Sequence, residues 1–488
     1  MRILVLGVFL VVAACTKPNP NVCCVTPLQC DALGVDEPRP CDVGQACRAG
    51  GCVAAECQAA ADCSADSPIC SNNLCVGTCQ IDDDCAEVAG RNRCSAQGTC
   101  VGCLDASQCP ASASICDGAE HTCRGCAQDT ECATGVCIET DGVCAAETDL
   151  LFVQATGATD TGSCPRSAPC ATIRYAIQRA SATRNVIRVT GGSLPERTVL
   201  VDKPIVIDAT GTSIGQPGVA AFDLLATLSA TIGGMTIRDN GSTTVSVINV
   251  PASDTLKLGP GTSLSGPLAF MNATVLVNQA EMSGAEIVCT SGTLDIARSH
   301  LLNGHIGGSA CHLTLTRSTI EGDSDRLVQV TGGDVRIENN LFVQRYEYAD
   351  SLSFQGCAPG STFRFNTVVN VSGVNADGQA LFCDATVDVT SNIFAYASGH
   401  PMGFPNGAYC LAKYSLFDDV SIPLHAAGEG NKTAAPTSFF VNRVGKDFHL
   451  APGSPAIDTA QQVLPVSMDL EGKPRPMGHL DMGAFESQ

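Results

Sequence analysis

The chain has 488 residues, a formal net charge of −21, 16% charged residues and no tryptophan. The acidic balance excludes nucleic acid and anionic lipid surfaces as main partners, because both require a net positive patch. Abundant Gly, Val, Ile and Thr favour β structure over helix, and 30 cysteines indicate an exported protein stabilised by disulfides.

The N-terminus predicts a signal segment, residues 1–14, followed by a tether. The apolar run at residues 3–12 is too short to be a permanent membrane-spanning helix. The sequence VAAC, which ends at Cys15, resembles a bacterial lipobox and implies lipidation of Cys15; an ordinary signal peptide is the alternative. Thr16 replaces the aspartate that retains lipoproteins at the inner membrane, so the resemblance implies the outer membrane or cell surface. Residues 15–29 are polar and Pro-rich, which suits a tether.

A cysteine-rich region is predicted at residues 30–144. Its four-cysteine units recur about every 22–24 residues and contain almost no large apolar residues. Because such units cannot bury a core, disulfides must stabilise them, although the pairing within a unit stays open. The units resemble short cysteine-rich repeats of bacterial surface proteins. Zinc binding is the alternative, but exported chains rarely keep thiolates reduced, so no metal site is predicted.

One unit contains the stretch CQIDDDC, residues 79–85, with Asp82, Asp83 and Asp84 side by side. The equivalent stretches of the other units do not contain three acids, and no longer loop supplies converging calcium ligands. The stretch is therefore interpreted as a solvated acidic turn, with a cation site as the alternative.

Residues 145–435 predict a right-handed parallel β-helix with an N-terminal cap helix. The cap is the amphipathic stretch ATIRYAIQRA, residues 171–180, and this part resembles the N-terminal cap of pectate-lyase-like proteins. Downstream, the pattern apolar–x–apolar–x4–apolar recurs about once per coil, whereas a β-sandwich, the alternative, would show no constant period. The pattern starts at Leu256, Val275, Leu294, Leu313, Val335, Phe363, Val387 and Cys410.

Small polar residues and late cysteines fit the same repeat. A polar residue five places after the start predicts a hydrogen-bonded ladder inside a turn. Disulfides are predicted within a small loop for Cys164 and Cys170, and between adjacent coils for Cys289 with Cys311 and for Cys357 with Cys383. The ladder residues are Ser299, Ser318, Asn340, Asn392 and Ser415.

Residues 436–488 strongly resemble a terminal module of bacterial surface β-helix proteins. The resemblance implies that its Asp and Arg residues hold a cap on the last coil and shield an open sheet edge, rather than catalyse a reaction. The matching residues are the stretch GSPAID at 453–458, Asp469, Gly472, Arg475, Pro476, Asp481, Gly483, Ala484 and Glu486.

The β-helix fold carries polysaccharide lyases and hydrolases as well as adhesins, so the fold alone does not decide activity. Lyases of this fold need clustered carboxylates for calcium and an Arg or Lys base on an outward strand face. Opposite charges on adjacent strands are also what a solvated sheet face uses, so no catalytic residue is assigned and Ca²⁺ is expected only in a lyase. The candidates are Asp295, Arg336, Glu338, Arg364 and Asp388.

Three long coils carry insertions after the same strand, and we expect the insertions to meet at one corner. Aromatic rings beside polar groups suit a glycan site, whereas decorated loops without a ligand are the alternative. The binding candidates are Tyr346, Tyr348, Asp350, Asn375, Asp377, Tyr396, His400 and Phe404.

These patterns together predict a monomeric outer-membrane lipoprotein in which a disulfide-rich arm carries a capped β-helix. The first hypothesis is a non-enzymatic binding or adhesion protein, without cofactors, that contacts a glycan or a surface protein. A lyase or hydrolase of acidic polysaccharide is the second hypothesis, and a structural envelope protein without a ligand is the third.

Overall fold

The chain forms two compact units, Met1–Cys126 and Ala127–Gln488. The computed structural model describes residues 78–85, 91–139, 141–194, 196–215, 219–225, 229–237, 246–346, 351–371, 380–383, 386–396, 411–418, 428–461, 468–476 and 479–487, and the backbone alone at 45–48, 51–54, 69–71, 74–76 and 402–403. Cys15, the signal segment and the tether lie outside the described residues. No helix within the described ranges is long and apolar enough to cross a membrane.

The first unit consists of short antiparallel strand pairs held by disulfides. In two consecutive repeats, the first cysteine bonds to the third and the second to the fourth, a pairing that the sequence left open. The disulfides are Cys79–Cys94, Cys85–Cys100, Cys103–Cys116 and Cys109–Cys123. The strand pairs are β1 (Gln45–Arg48) with β2 (Gly51–Ala54), β3 (Ile69–Ser71) with β4 (Leu74–Val76), β5 (Arg93–Cys94) with β6 (Cys100–Val101), and β7 (Ile115–Cys116) with β8 (Cys123–Arg124). Short 3-10 helices span Asp82–Cys85, Ala106–Gln108 and Ala111–Ala113.

Two of the three adjacent aspartates stabilise the turn that contains them. Asp82 accepts hydrogen bonds from the backbone N–H of Cys94 at 2.8 Å and from the Arg93 guanidinium at 2.9 Å. The backbone bond from Cys94, followed by the bond from Arg93, lowers the pKa of the Asp82 carboxyl. Asp84 accepts from the N–H of Gln80 at 2.7 Å. The acidic turn thus has a structural role in closing its repeat.

The second unit starts with residues 127–144, which had been predicted to belong to the cysteine-rich region. They form β9 (Cys137–Ile138), β10 (Val143–Cys144) and a 3-10 helix, Asp129–Glu131, followed by another at Glu147–Asp149. The predicted cap helix is confirmed as α1 (Ile173–Arg179). Its N-terminus is closed by Glu196, which accepts hydrogen bonds from the N–H groups of Ile173 and Arg174 at 2.7 and 2.9 Å. The apolar face of α1 lies in the main core.

The predicted parallel β-helix is confirmed, and its strands form three faces. Face A carries the predicted catalytic candidates on its outward side. Alternating residues point inward into one continuous apolar core. Face A consists of β11 (Leu150–Gln154), β12 (Val186–Thr190), β15 (Ile205–Ile214), β17 (Ser229–Ile237), β19 (Thr255–Leu258), β22 (Thr274–Asn278), β25 (Thr293–Ala297), the C-terminal halves of β27 (His305–Thr316) and β29 (Val328–Glu338), β32 (Ser361–Arg364), β35 (Val387–Thr390) and β38 (Ala412–Lys413).

Face B follows face A after a sharp turn, and face C completes each coil. Face B consists of β13 (Gly192–Ser193), the ends of β15 and β17, β20 (Ser263–Ser265), β23 (Glu281–Ser283), β26 (His300–Leu302), β28 (Thr319–Gly322), β30 (Leu341–Gln344), β33 (Thr367–Asn370), β36 (Ile393–Ala395), β39 (Leu416–Phe417) and β40 (Lys432–Thr433). Face C consists of β14 (Val199–Val201), β16 (Phe222–Leu224), β18 (Ile248–Asn249), β21 (Leu268–Met271), β24 (Glu286–Thr290), the N-terminal halves of β27 and β29, β31 (Leu352–Gln355), β34 (Leu381–Cys383) and β37 (Met402–Gly403).

The predicted polar ladder is confirmed between faces A and B, and it is longer than predicted. Each backbone N–H in the row from Ser299 to Ser415 donates to the side-chain oxygen of the same position one coil later, for example Asn340 to Asn366 at 3.0 Å and Asn366 to Asn392 at 2.8 Å. The sequence pattern missed Asn366. The complete row is Ser299, Ser318, Asn340, Asn366, Asn392, Ser415 and Asn431.

Asn366 was missed because the repeat in its coil starts at Ser361 and not at Phe363. Ser361 aligns with Val387, and Phe363 aligns with Ile337 and Val389. Ser361 is polar and therefore does not match the apolar first position of the repeat. Its hydroxyl instead accepts a hydrogen bond from the N–H of Val335 at 3.2 Å.

Two of the three predicted late disulfides are confirmed, Cys164–Cys170 and Cys289–Cys311. The predicted Cys357–Cys383 bond is wrong. The strand register aligns Cys383 with Phe354, three residues before Cys357 along the chain. Cys383 is disulfide-bonded elsewhere, and Cys357 is a buried thiol.

The C-terminal module, residues 436–488, contains a 3-10 helix, Pro436–Ser438, and an antiparallel pair, β41 (Phe440–Asn442) and β42 (Asp447–Leu450). It lies along face B over several coils, a placement that the expectation of a cap on the last coil did not include. Apolar face-B residues and module residues share one buried cluster, which includes Val343, Ile393, Leu416, Phe448 and Met482. The module therefore binds the side of the β-helix.

Candidate functional site

Face A brings the five catalytic candidates together on its outward side. Asp295, Arg336 and Asp388 occupy one row that runs through Thr314 and Thr362. The strand register places Arg364 opposite Glu338 in the neighbouring row. The candidates thus occupy two rows of the same face.

The charges of these candidates pair with one another. Arg336 Nη2 lies 3.1 Å from Glu338 Oε2, and Arg364 Nη2 lies 2.5 Å from Asp388 Oδ2. Burial raises the pKa of Asp295, although Arg336 acts to lower it. An arginine acts as a base only when its pKa is depressed, and a carboxylate partner has the opposite effect. Both pairs match the arrangement of a solvated sheet face.

Of the residues of the predicted loop site, Tyr346 and Tyr396 lie within the described residues. Tyr346 is 41% exposed at the end of the face-B strand. The prediction that Tyr396 contacts a ligand is wrong. Tyr396 is 1% exposed, and its hydroxyl lies 2.6 Å from Ser351 Oγ inside the core. Its ring therefore cannot stack on a ligand. Tyr348, Asp350, Asn375, Asp377, His400 and Phe404 lie outside the described residues.

The sequence did not predict a groove of about 680 Å³ between face B and the C-terminal module. We call it the module groove. The face-B wall includes Glu281, Arg298, His300, Arg317 and Thr319; the module wall includes Lys446, Asp447, His449, Glu471 and Phe485.

On the module wall, His449 is held between two carboxylates. Its Nδ1 lies 2.7 Å from Asp447 Oδ1, its Nε2 lies 2.9 Å from Glu471 Oε1, and its ring contacts Phe485. Burial acts to lower the pKa of His449, but the two carboxylates outweigh burial and raise that pKa above its ordinary value. The imidazolium form is therefore favoured in the folded protein.

His449 makes the stability of the module dependent on pH. Because its pKa is raised on folding, its contribution is fully present below the unfolded value and is lost as pH rises through the folded value. We expect His449→Gln to lower the melting temperature at pH 5.5 and to have little effect at pH 8.5. The effect should be small, below about 1 kcal/mol, because the pair is partly exposed. Equal losses at both pH values would contradict this assignment.

On the face-B wall, Arg298 and Arg317 occupy the same turn position in successive coils. Both have left-handed backbones, with φ of 49° and 48°, and both precede a ladder serine. The repeats LDIARSHL and LTLTRSTI show this alignment, so the stacked arginines could have been found from sequence. The groove itself could not, because its other wall is the module.

The architecture is that of a parallel β-helix. No protein-family model matches the chain, and no curated protein matches it. Among solved structures, the chain is similar to one described as pectate lyase Pel9A, with a TM-score of 0.43 and 14% identity. The match covers 70% of this chain and 98% of that chain, and it concerns the fold alone.

Proposed function

We propose that the protein is a cell-surface lipoprotein, anchored through Cys15, that binds a glycan in the module groove without catalysing a reaction. The lipobox-like sequence and the 30 cysteines support export and anchoring. The disulfides of the first unit are consistent with an oxidising compartment.

One observation carries the non-enzymatic part of this proposal. On face A, each arginine that a lyase mechanism would use is paired with a carboxylate, Arg336 with Glu338 and Arg364 with Asp388. Carboxylates that pair with arginines are less available as calcium ligands. The module groove, in contrast, has a size typical of ligand sites and a polar wall on a rigid strand face.

The test combines a glycan array with a lyase assay on acidic polysaccharide in the presence of calcium. We expect the purified chain to be retained by at least one glycan and to release no unsaturated product. The variant Arg336→Ala should bind as the unmodified chain does, because Arg336 lies outside the groove. Product absorbance that disappears in Arg336→Ala would instead establish the lyase alternative and refute this proposal.

A further inference from the structure

The module groove contains two arginines that have no counter-charge among the residues that the structure describes. The chain has 49 acidic residues for 28 lysines and arginines, so most cations have an acid available for pairing. Within the described ranges, however, neither Arg298 nor Arg317 forms an ion pair. Arg298 Nε donates to the amide oxygen of Asn278 at 3.0 Å. Arg317 Nη1 contacts only the sulfur of Met468 at 3.9 Å.

Arg317 lies against the module. A Cβ atom at Gly472 would lie 2.5 Å from Arg317 Nη2, so a side chain at this position would displace the guanidinium. The Nε of Arg317 is buried and has no acceptor among the described residues. A buried donor of a charged group normally has a partner. The guanidinium therefore has unused hydrogen-bonding capacity.

The two arginines also lie side by side. The N–H of Arg298 donates to the carbonyl of Thr316 at 3.0 Å, directly beside Arg317 in the next coil. Adjacent strands of a sheet are about 4.8 Å apart, so the two arginine side chains start from neighbouring positions on the same wall. Like charges at this separation repel unless an anion lies between them.

The carboxylates of the groove are already engaged. Glu281 contacts His300 at 3.2 Å, Asp447 contacts His449 at 2.7 Å, and Glu471 contacts both His449 and Lys473. None of them compensates Arg298 or Arg317 within the part of the chain that the structure describes. The face-B wall thus offers two arginines without a counter-charge among the described residues, whereas Lys446 and His449 of the module wall are paired with carboxylates.

We infer that Arg298 and Arg317 bind an oxyanion, the carboxylate or sulfate group of an acidic saccharide, at the face-B wall of the module groove. This inference rests on the proposed glycan-binding function and specifies its ligand class. Guanidinium groups match both oxyanions through paired hydrogen bonds. The groove is open, so it accommodates a segment of a saccharide chain.

The test measures calorimetric binding of three oligosaccharides to the full chain: a sulfated one, a uronate and a neutral glucan. We expect binding of at least one acidic oligosaccharide and none of the glucan. The double variant Arg298→Gln/Arg317→Gln should weaken binding about tenfold or more, because two charge-assisted contacts are lost. The matched control, Arg336→Gln/Arg364→Gln on face A, should bind within about twofold of the unmodified chain, because neither residue contacts the ligand.

The outcomes separate this inference from the function on which it rests. If neutral glycans bind equally well to the unmodified chain and to Arg298→Gln/Arg317→Gln, the oxyanion inference is overturned and the proposed glycan-binding function stands. Binding of no glycan, together with a sulfate-induced shift of the Arg317 Nε–H resonance in NMR spectra, would overturn the function and leave the oxyanion site. Equal losses in both double variants would overturn the inference. Arg317→Lys keeps the positive charge and is the control for folding. It should retain part of the binding that the double variant loses.

Discussion

Replacing Arg475 with methionine is expected to lower the free energy of unfolding by about 3–5 kcal/mol, because it leaves a buried carboxylate without its partner. The Arg475 guanidinium donates to Glu486 Oε2 at 2.6 Å, to the carbonyl of Gly483 at 2.7 Å and to Asn339 Oδ1 at 2.9 Å. It also lies 4.7 Å from the centre of the Phe365 ring. Arg475 thus joins the module to two consecutive coils of the β-helix.

The loss in Arg475→Met should be larger at pH 8 than at pH 5. Burial raises the pKa of Glu486 to about 7, although Arg475 acts to lower it. Without Arg475 this pKa rises further, so the folded variant holds a proton that the unfolded chain releases. Its stability therefore falls as pH rises from about 5 to 8.

Denaturant unfolding at the two pH values measures this effect. Lys473→Met is the matched control, because Lys473 pairs with Glu471 at a partly exposed position and its loss should cost less than about 1 kcal/mol. Equal effects of Arg475→Met and Lys473→Met would show that the buried arginine does not hold the module.

Replacing Asn366 with alanine is expected to cost about 2–4 kcal/mol, because it removes a residue from the polar ladder and leaves buried backbone groups unpaired. Asn366 accepts from the N–H of Asn340 at 3.0 Å and donates to the carbonyl of Ile337 at 2.9 Å. Neither group can reach water, since the ladder is buried between faces A and B.

Asn366→Ser is the control for this prediction. Serine occupies the same ladder position at Ser318, where its hydroxyl accepts a hydrogen bond from the N–H of Ser299 at 3.1 Å. A serine at position 366 should therefore satisfy the N–H of Asn340 and recover about half of the loss. Thermal unfolding compares the two variants, and an alanine variant as stable as the serine variant would refute the role of the ladder.

The sequence was sufficient to predict those features that depend on a pattern repeated once per coil. Apolar residues at fixed positions must point inward to be buried, so they predicted the β-helix, and serine or asparagine at the next corner predicted the ladder. Ser361 shows the limit of this reasoning. Its hydroxyl is satisfied by a backbone N–H in the core, and a pattern based on hydrophobicity cannot anticipate that.

Features that depend on distant surfaces were not predicted. The module contacts residues more than a hundred positions away, such as Ala484 with Thr367, and no local pattern specifies which face it covers. For the same reason, the sequence showed the aligned arginines Arg298 and Arg317 but not the groove. Tyr396 was predicted to be an exposed loop residue because its hydroxyl is polar. The sequence does not show that this hydroxyl has a buried partner, Ser351.

The attachment of the module along face B restricts how the length of the β-helix can change in evolution. From Arg317 to Ser391, successive coils contact the module, so adding or removing a coil in this stretch would misalign Arg475 with Asn339 and Gly483 with Ser391. Among the described residues, no hydrogen bond joins the module to a coil before Arg298. We therefore expect related chains to differ in length by whole coils between the cap helix α1 and the groove. The number of coils that contact the module should stay constant.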